Sequence, residues 1–91
     1  MGDIYAALAD PTRRLVLDEL QRRDGQTLFE LCARLVTVHR VSMTRQAISQ
    51  HISVLESAGL VETARAGRSK VHHFTPSPLR EIHDRWPVDP T

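Results

Sequence analysis

The chain has 91 residues, 41% of them hydrophobic, which is typical of one small globular domain. No apolar run approaches the about 18 residues that a transmembrane helix needs. The first residues, MGDIYAAL, lack the basic start and long apolar core of a secretory signal. A single cysteine, Cys32, excludes an internal disulfide framework. We therefore expect one domain over residues 1–91, cytoplasmic and without a membrane segment.

The net charge of +1 conceals an uneven distribution along the chain. Between Leu31 and Arg80, seven Lys and Arg stand against two acidic residues, a net of +5, whereas the rest carries five basic and nine acidic residues. A surface that binds phosphate groups needs such a local excess of positive charge. The alternative is an ordinary fluctuation of charge. The basic segment coincides with the helix and hairpin predicted below, and this overlap favours a binding surface.

The first two predicted helices begin at aspartates. Asp3 can cap a short helix over Ile4–Leu8, and Asp10-Pro11 supplies an N-cap and a proline at the first helical position. The second helix is expected to run to about Arg23 and to end at Gly25. Its buried residues are expected to be Leu15, Val16 and Leu20.

A capping box predicts the third helix. In Thr27-Leu28-Phe29-Glu30, the Glu30 side chain can reach back to the Thr27 N–H, so the helix begins at Leu28. Its expected buried residues are Leu28, Leu31, Cys32 and Leu35. Cysteine in a buried stripe is more often a small core residue than a redox sensor.

The stretch Thr44–Gly59 predicts an amphipathic helix with two different faces. Ile48, Ile52 and Leu55 recur at i, i+4 and i+7, which places them on one face. The opposite face carries hydrogen-bonding side chains and no acidic residue: Arg45, Gln46, Ser49, Gln50 and Ser53. Because Arg can fork onto guanine and Gln onto adenine in the major groove, this face suits double-stranded DNA. Thr44 can cap the helix and also donate to a phosphate.

A β-hairpin with a basic tip is expected to follow. Leu60–Arg65 and Lys70–Phe74 contain strand-forming β-branched residues and flank a turn over Ala66–Ser69. The candidates for phosphate or minor-groove contact are Arg65, Arg68, Ser69 and Lys70. The alternative is a charged tip that only keeps the protein in solution. His51, one position round from the polar face of the preceding helix, either contacts a phosphate or packs at the edge of the core.

The connection before the DNA-reading helix is unusually long. Most helix-turn-helix turns take about three or four residues, whereas Val36–Met43 intervenes here. Either the third helix runs on by about two turns, or the chain forms an enlarged loop. His39 and Arg40 in this segment either reach phosphates or belong to a mere surface insertion.

A last helix is predicted over Leu79–Trp86, capped by Ser77-Pro78 and halted by Pro87. Its apolar residues, with those of the first helix, are candidates for a dimer seam. These residues are Ile4, Tyr5, Leu8, Leu79, Ile82 and Trp86. The alternative is that Trp86 packs within a single subunit.

Several motifs in this order resemble the ArsR-type (ArsR/SmtB) winged-helix repressors. The matching stretches are LADPTRRLVLDEL (8–20), ELCARL (30–35), AISQHISVLESAGLV (47–61) and GRSKVHHF (67–74). The resemblance implies an α+β, mainly α, winged helix-turn-helix domain with a two-stranded β-hairpin wing. It also implies a homodimer that pairs through its first and last helices. Such proteins usually repress transcription by binding palindromic operators and release the DNA when an effector binds.

The metal motifs of that family are missing from this chain. The third helix has one thiol, Cys32, where the arsenic-sensing motif has two, and one soft ligand cannot form a trigonal thiolate site. His72 and His83 are expected on different elements, a strand and a helix. We therefore expect no metal and no other cofactor.

The sequence as a whole predicts a homodimeric DNA-binding regulator of an inverted-repeat site, and not an enzyme. No nucleophile–base pair, phosphate-cradling glycine loop or carboxylate pair at useful spacing is visible. The alternative is a winged-helix module that binds another protein. Such a module normally exposes apolar or acidic residues on the helix that otherwise reads DNA.

Overall fold

In the computed structural model, residues 2–89 are described, and they form five α-helices and a two-stranded antiparallel sheet. The elements follow the order α1 (Ile4–Leu8), α2 (Pro11–Arg22), α3 (Leu28–Thr37), α4 (Arg45–Ser57), β1 (Val61–Ala66), β2 (Ser69–Phe74), a one-turn 3-10 helix (Ser77–Leu79) and α5 (Arg80–Arg85). This arrangement confirms the predicted winged helix-turn-helix fold. Among the described residues, none of the helices has the length and apolar character needed to cross a lipid bilayer.

Side chains cap the first three helices as the sequence predicts. The Asp3 carboxylate accepts a hydrogen bond from the Tyr5 N–H at 2.9 Å, and Asp10 accepts one from the Thr12 N–H at 2.8 Å. Both bonds of the capping box at Thr27 and Glu30 are present. Each cap satisfies N–H groups that have no partner within the helix, so these helix starts are fixed locally.

The core lies where α2, α3 and α4 meet, with α1 and the base of the hairpin packed against it. Its largest fully buried side chains are Val16, Leu20, Gln26, Leu31, Leu35, Ile48, Leu55 and Leu60. Leu15, Leu28 and Cys32, predicted to be buried, are only half-buried and pack against the rim of this cluster. Burial raises the pKa of the Cys32 thiol, and the charge of Arg45 opposes this.

The connection between α3 and α4 is an enlarged loop. The helix α3 ends at Thr37, so it does not run on for two turns. We call Val38–Thr44 the connector. In it Arg40 has a φ of 55°, a left-handed conformation that is uncommon for a residue with a side chain. The chain then returns to the core, and the Val41 N–H donates to the Leu35 carbonyl at 2.9 Å.

The hairpin has the predicted turn. Ala66 pairs with Ser69, so Gly67 and Arg68 form a two-residue turn, and Gly67 has the positive φ of 63° that such turns require. At the other end of the hairpin, the His72 N–H donates to the carbonyl of Gln26 at 2.8 Å. This bond attaches the hairpin to the loop between α2 and α3 and thereby fixes its position relative to the helices.

The last helix begins differently from the prediction. The predicted cap at Ser77 is wrong, because Ser77 lies inside the 3-10 turn and its side chain makes no capping bond. The residue at the cap position is Pro76, with ψ of −11°, whereas a capping residue needs an extended backbone. The α-helical part is therefore only Arg80–Arg85, and Trp86 follows it.

Candidate nucleic-acid interface

The helix α4 is held firmly on one side and open on the other. It begins where the Thr44 hydroxyl accepts a hydrogen bond from the Ala47 N–H at 3.1 Å. Its apolar stripe, Ile48, Ile52 and Leu55, is at most 2% exposed. Because α1, α2, α3 and β1 all contact this helix, its orientation on the domain is fixed. Burial of three large side chains contributes roughly 5 kcal/mol or more to that attachment.

The outward face of α4 carries the five side chains that the sequence predicts. Arg45, Gln46, Ser49, Gln50 and Ser53 are all exposed. They occupy neighbouring positions over the first two and a half turns of the helix. The face therefore offers hydrogen-bond donors and acceptors to a partner, and the Arg45 guanidinium adds a positive charge at its N-terminal end.

His51 lies elsewhere on α4. Its Nδ1 is 3.0 Å from Nη1 of Arg13, which also donates to the carbonyls of Ala7 at 2.7 Å and Ala6 at 3.1 Å. A guanidinium only donates, so the His51 Nδ1 is the acceptor. His51 thus joins α4 to α1 and α2 at the edge of the core, and this nitrogen is occupied by a protein partner.

The hairpin presents two cations side by side. Arg65 and Lys70 are directly opposite each other in the antiparallel register. Side chains of such a pair lie on the same face of the hairpin, and like charges placed so closely repel each other. Both side chains are exposed, and no hydrogen bond within residues 2–89 engages either of them. An anion bound between them would relieve this repulsion.

A groove of about 560 Å³ separates α4 from the hairpin. Five of the predicted residues line it: Arg45, Ser49 and Ser53 from α4, and Ser69 and Lys70 from the hairpin. The remaining predicted residues of α4 and the hairpin are exposed but do not line the groove: Thr44, Gln46, Gln50, Arg65 and Arg68. His51 is bound to Arg13 instead. The structure therefore brings the helix and the hairpin candidates to one surface.

Phe29 is a residue of this surface that the sequence reasoning missed. It lines the groove from the first turn of α3 and is 68% exposed. Phe29, Ala33 and Val36 are spaced i, i+4 and i+7 and are all exposed. This second apolar stripe on α3, opposite the buried one, is the sequence pattern that could have revealed it.

A chain of hydrogen bonds in the lining of the groove joins the hairpin to α4. The Thr63 hydroxyl donates to Oε2 of Glu56 at 2.8 Å and accepts from Nδ1 of His72 at 2.9 Å. Burial lowers the pKa of His72, with the nearby charge of Glu56 opposing the shift, so the ring is neutral at neutral pH. These bonds fix the distance between the two walls of the groove.

Metal-binding groups are not clustered on this surface. Within residues 2–89, no three or more His, Cys, Asp and Glu side chains lie close enough to hold a metal ion. His72 lies on β2 and His83 on α5, as the sequence indicates. His73 is bound to Oδ2 of Asp24 at 2.8 Å.

The helix α4 is fixed on the domain, exposes Arg, Gln and Ser side chains, and lies beside a cationic hairpin. This combination is typical of winged helix-turn-helix DNA-binding proteins. Comparison with known proteins agrees with this class. The sequence pattern of a family described as a helix-turn-helix domain matches residues 8–64. The chain belongs to the ArsR-type family of helix-turn-helix transcriptional regulators and is a DNA-binding regulator of transcription.

The similarity to individual relatives extends over most of the chain. The chain is 51% identical over 83 residues to the HTH-type transcriptional regulator YuzN of Bacillus subtilis (strain 168), covering 91% of this chain and 90% of YuzN. It is 29% identical over 68 residues to the transcriptional repressor SdpR of the same strain, covering 75% of this chain and 68% of SdpR. Among solved structures, an ArsR-like transcriptional regulator from Rhodococcus sp. RHA1 matches with a TM-score of 0.76 and 32% identity, covering 90% of this chain and 69% of that one.

Proposed function

We propose that the protein is a cytoplasmic homodimeric repressor that binds an inverted-repeat operator and acts by binding alone, without a catalytic step. In this proposal, Arg45, Gln46, Ser49 and Gln50 of α4 reach base edges, and the basic hairpin contacts the neighbouring backbone. The observation that carries the proposal is the groove in which Arg45 of α4 faces Lys70 of the hairpin. The relative SdpR is a transcriptional repressor, which supports the same role for this chain.

The positions of the side chains support separate roles for α4, which contacts bases, and for the hairpin, which contacts phosphates. The exposed start of α4 is the part of such a helix that meets base edges in known docking geometries. The hairpin carries Arg65, Arg68 and Lys70, whose positive charges suit phosphates, and contacts to phosphates position a protein on DNA without reading the base sequence. Thr44, Ser53 and Ser69 border the same surface and can donate to phosphate oxygens. Hydrogen bonds through Thr63 join the two walls of the groove, so both parts can dock together.

Two variants test this division once an operator has been selected from a pool of random DNA. Arg45→Ala should reduce the preference for operator over random DNA by about tenfold or more, because a bidentate base contact is lost. Lys70→Ala should weaken operator and random DNA about equally and reduce the dependence of the binding constant on salt by about one counterion. Equal losses for Arg45→Ala on both DNAs would contradict the assignment of α4. A wild-type protein that shifts no DNA fragment and instead binds another protein would replace the proposal by the alternative interaction module.

The homodimer is proposed from a different surface, which α1 and the end of α5 form. Tyr5 of α1 and Trp86 pack edge to face with ring centroids 6.0 Å apart, yet Trp86 stays 57% exposed. Leu8 and Leu79 line an adjacent groove of about 300 Å³. A second copy of the chain would cover this apolar surface and present two α4 helices to the two halves of an inverted repeat. Ile4 is buried in the core of its own chain and would support the seam from beneath.

A further inference from the structure

A buried carboxylate connects three parts of the chain that the DNA-reading surface depends on. The side chain of Glu19, on α2, is only 4% exposed. It accepts hydrogen bonds from Nε and Nη2 of Arg34 at 2.8 and 3.2 Å, from Nε of Arg22 at 3.0 Å and from Nε2 of His39 at 2.8 Å. Nothing in the local sequence around Glu19 indicates this cluster, because Arg34 and His39 are distant along the chain.

The three partners of Glu19 lie on different elements, so their bonds attach different parts of the chain to α2. Arg22 lies on the same helix, and Arg34 lies on α3, which already packs against α2 through the core. Only His39 lies in the connector, the loop that leads into α4. The bond from His39 to Glu19 therefore attaches the first part of this loop to α2 by a side chain, ahead of the backbone bond from Val41 to α3. It also shows that the His39 side chain is directed to the protein and not outward to a phosphate.

A loop of this length needs such an attachment. Flexible residues lose conformational freedom on ordering, at a cost of about 1–2 kcal/mol each in the backbone. Next to His39, Arg40 adopts its left-handed conformation, and Val41 is then bonded to Leu35. Thr44 follows directly and caps α4. The position of the first turn of α4 thus depends on where the loop is held.

We propose that His39 is a positioning residue for DNA reading: its bond to buried Glu19 fixes the connector so that Arg45 and Gln46 meet base edges in one geometry. This inference rests on the proposed function, because it needs the start of α4 to be the part that reads bases. Base contacts demand a narrow range of distances and angles, whereas phosphate contacts tolerate displacement. Loss of His39 should therefore lower selectivity for the operator more than it lowers affinity for random DNA.

Three substitutions at His39 test the proposal, because they differ in whether the new side chain is long enough to bind Glu19. A Gln side chain places an amide N–H close to the position of the His39 Nε2, whereas an Asn side chain is too short. His39→Ala and His39→Asn should each reduce the operator-to-random affinity ratio by about tenfold, the size of one good base contact, and His39→Gln should restore it. If His39→Ala does not fold, the comparison of Gln with Asn still decides.

A matched control comes from another histidine–carboxylate pair. His73 is bound to Asp24 at 2.8 Å, the same distance as His39 to Glu19, but this pair lies at the base of the hairpin. His73→Ala should leave the affinity ratio unchanged. Hydrogen exchange supplies a second measurement, because the Val41 amide should lose protection in His39→Ala and regain it in His39→Gln.

The possible results separate this inference from the proposed function. If Arg45→Ala loses operator preference while His39→Ala retains it, the role of His39 is wrong and the role of α4 stands. If His39→Ala weakens operator and random DNA equally, lowers the salt dependence and is not rescued by Gln, then His39 contacts a phosphate and the proposal is overturned. If the wild-type protein shows no preference for any DNA sequence, the proposed function itself fails and His39 has nothing to position.

Discussion

The helices α4 and α5 both lie on the surface, yet they leave different kinds of side chain uncovered. The helix α4 has a threonine cap, three buried apolar residues and a hydrogen-bonding outer face. The helix α5 has no side-chain cap, no fully buried residue and an exposed Trp86 at its end. A polar face is well solvated in water without a partner, whereas an exposed indole is stabilised when another protein surface covers it. The contrast suggests a nucleic-acid partner for one helix and a protein partner for the other.

The largest expected effect concerns the partner of α5. If Trp86 is part of a dimer seam, Trp86→Ala should convert the protein to a monomer and weaken operator binding by about 100-fold, because the two half-sites are then bound separately. Analytical ultracentrifugation and a mobility shift would measure both. Val88→Ala is the control, since Val88 is also exposed and follows closely in the chain. A wild-type protein that sediments as a monomer would contradict the proposal that a second copy of the chain covers Trp86.

The next effect concerns Glu19, whose side chain binds Arg22, Arg34 and, in the connector that precedes α4, His39. Hydrogen bonds from Arg34, opposed by burial and aided by His39 and Arg22, lower the pKa of Glu19 to about 2 from its ordinary 4.5. A lowered carboxyl pKa contributes stability above the ordinary value, and this stability is lost as the pH falls towards the folded value. The contribution is on the order of 3 kcal/mol, since one pKa unit corresponds to about 1.4 kcal/mol.

Urea unfolding at several pH values tests this contribution. Glu19→Gln should be less stable than the wild type at neutral pH, and the difference should shrink as the pH falls from about 4.5 towards 2. Far-ultraviolet circular dichroism reports on all helices, whereas fluorescence of the single tryptophan, Trp86, reports on the α5 end. A difference in stability that stays constant over this pH range would show that the charge of Glu19 is not its cause.

A smaller effect separates the starts of the two helices. Thr44→Ala should cost about 1 kcal/mol of stability because the Ala47 N–H loses its acceptor, and Thr44→Ser should cost much less. Ser77→Ala is the matched substitution near α5, and it should change little because Ser77 makes no capping bond. Thermal unfolding of the three variants measures this. Similar losses for Thr44→Ala and Ser77→Ala would contradict the difference between the two helix starts.

The smallest effect concerns the bond network between α4 and the hairpin. Burial lowers the pKa of His72 below its ordinary 6.5. The unfolded chain therefore binds a proton at His72 before the folded chain does, so stability should decline as the pH falls below about 6.5. Titration of the ring followed by NMR should give a midpoint below that of a free histidine. A midpoint at or above 6.5 would show that the ring is not held neutral by burial.

Local sequence determined the elements of this protein. The caps at Asp10, Thr27 and Thr44 and the turn at Gly67 each depend on residues within about four positions, so the chain specifies them without knowledge of the rest of the fold. The polar face of α4 follows from helical spacing in the same way. The prediction failed at Ser77, where a 3-10 turn after Pro76 replaces the expected helix start.

Only the tertiary structure decided how these elements are joined. Glu19 meets residues 15 and 20 positions away, Arg13 meets His51 across 38 positions, and Asp24 meets His73 across 49. Such pairs leave no periodic pattern in the sequence, because each depends on how whole helices pack. The sequence of Thr44–Gly59 therefore predicts by itself a helix with a face that suits DNA. The direction in which that helix points is set by packing and by bonds to residues far away in the chain, of which the one from His39 to Glu19 holds the connector.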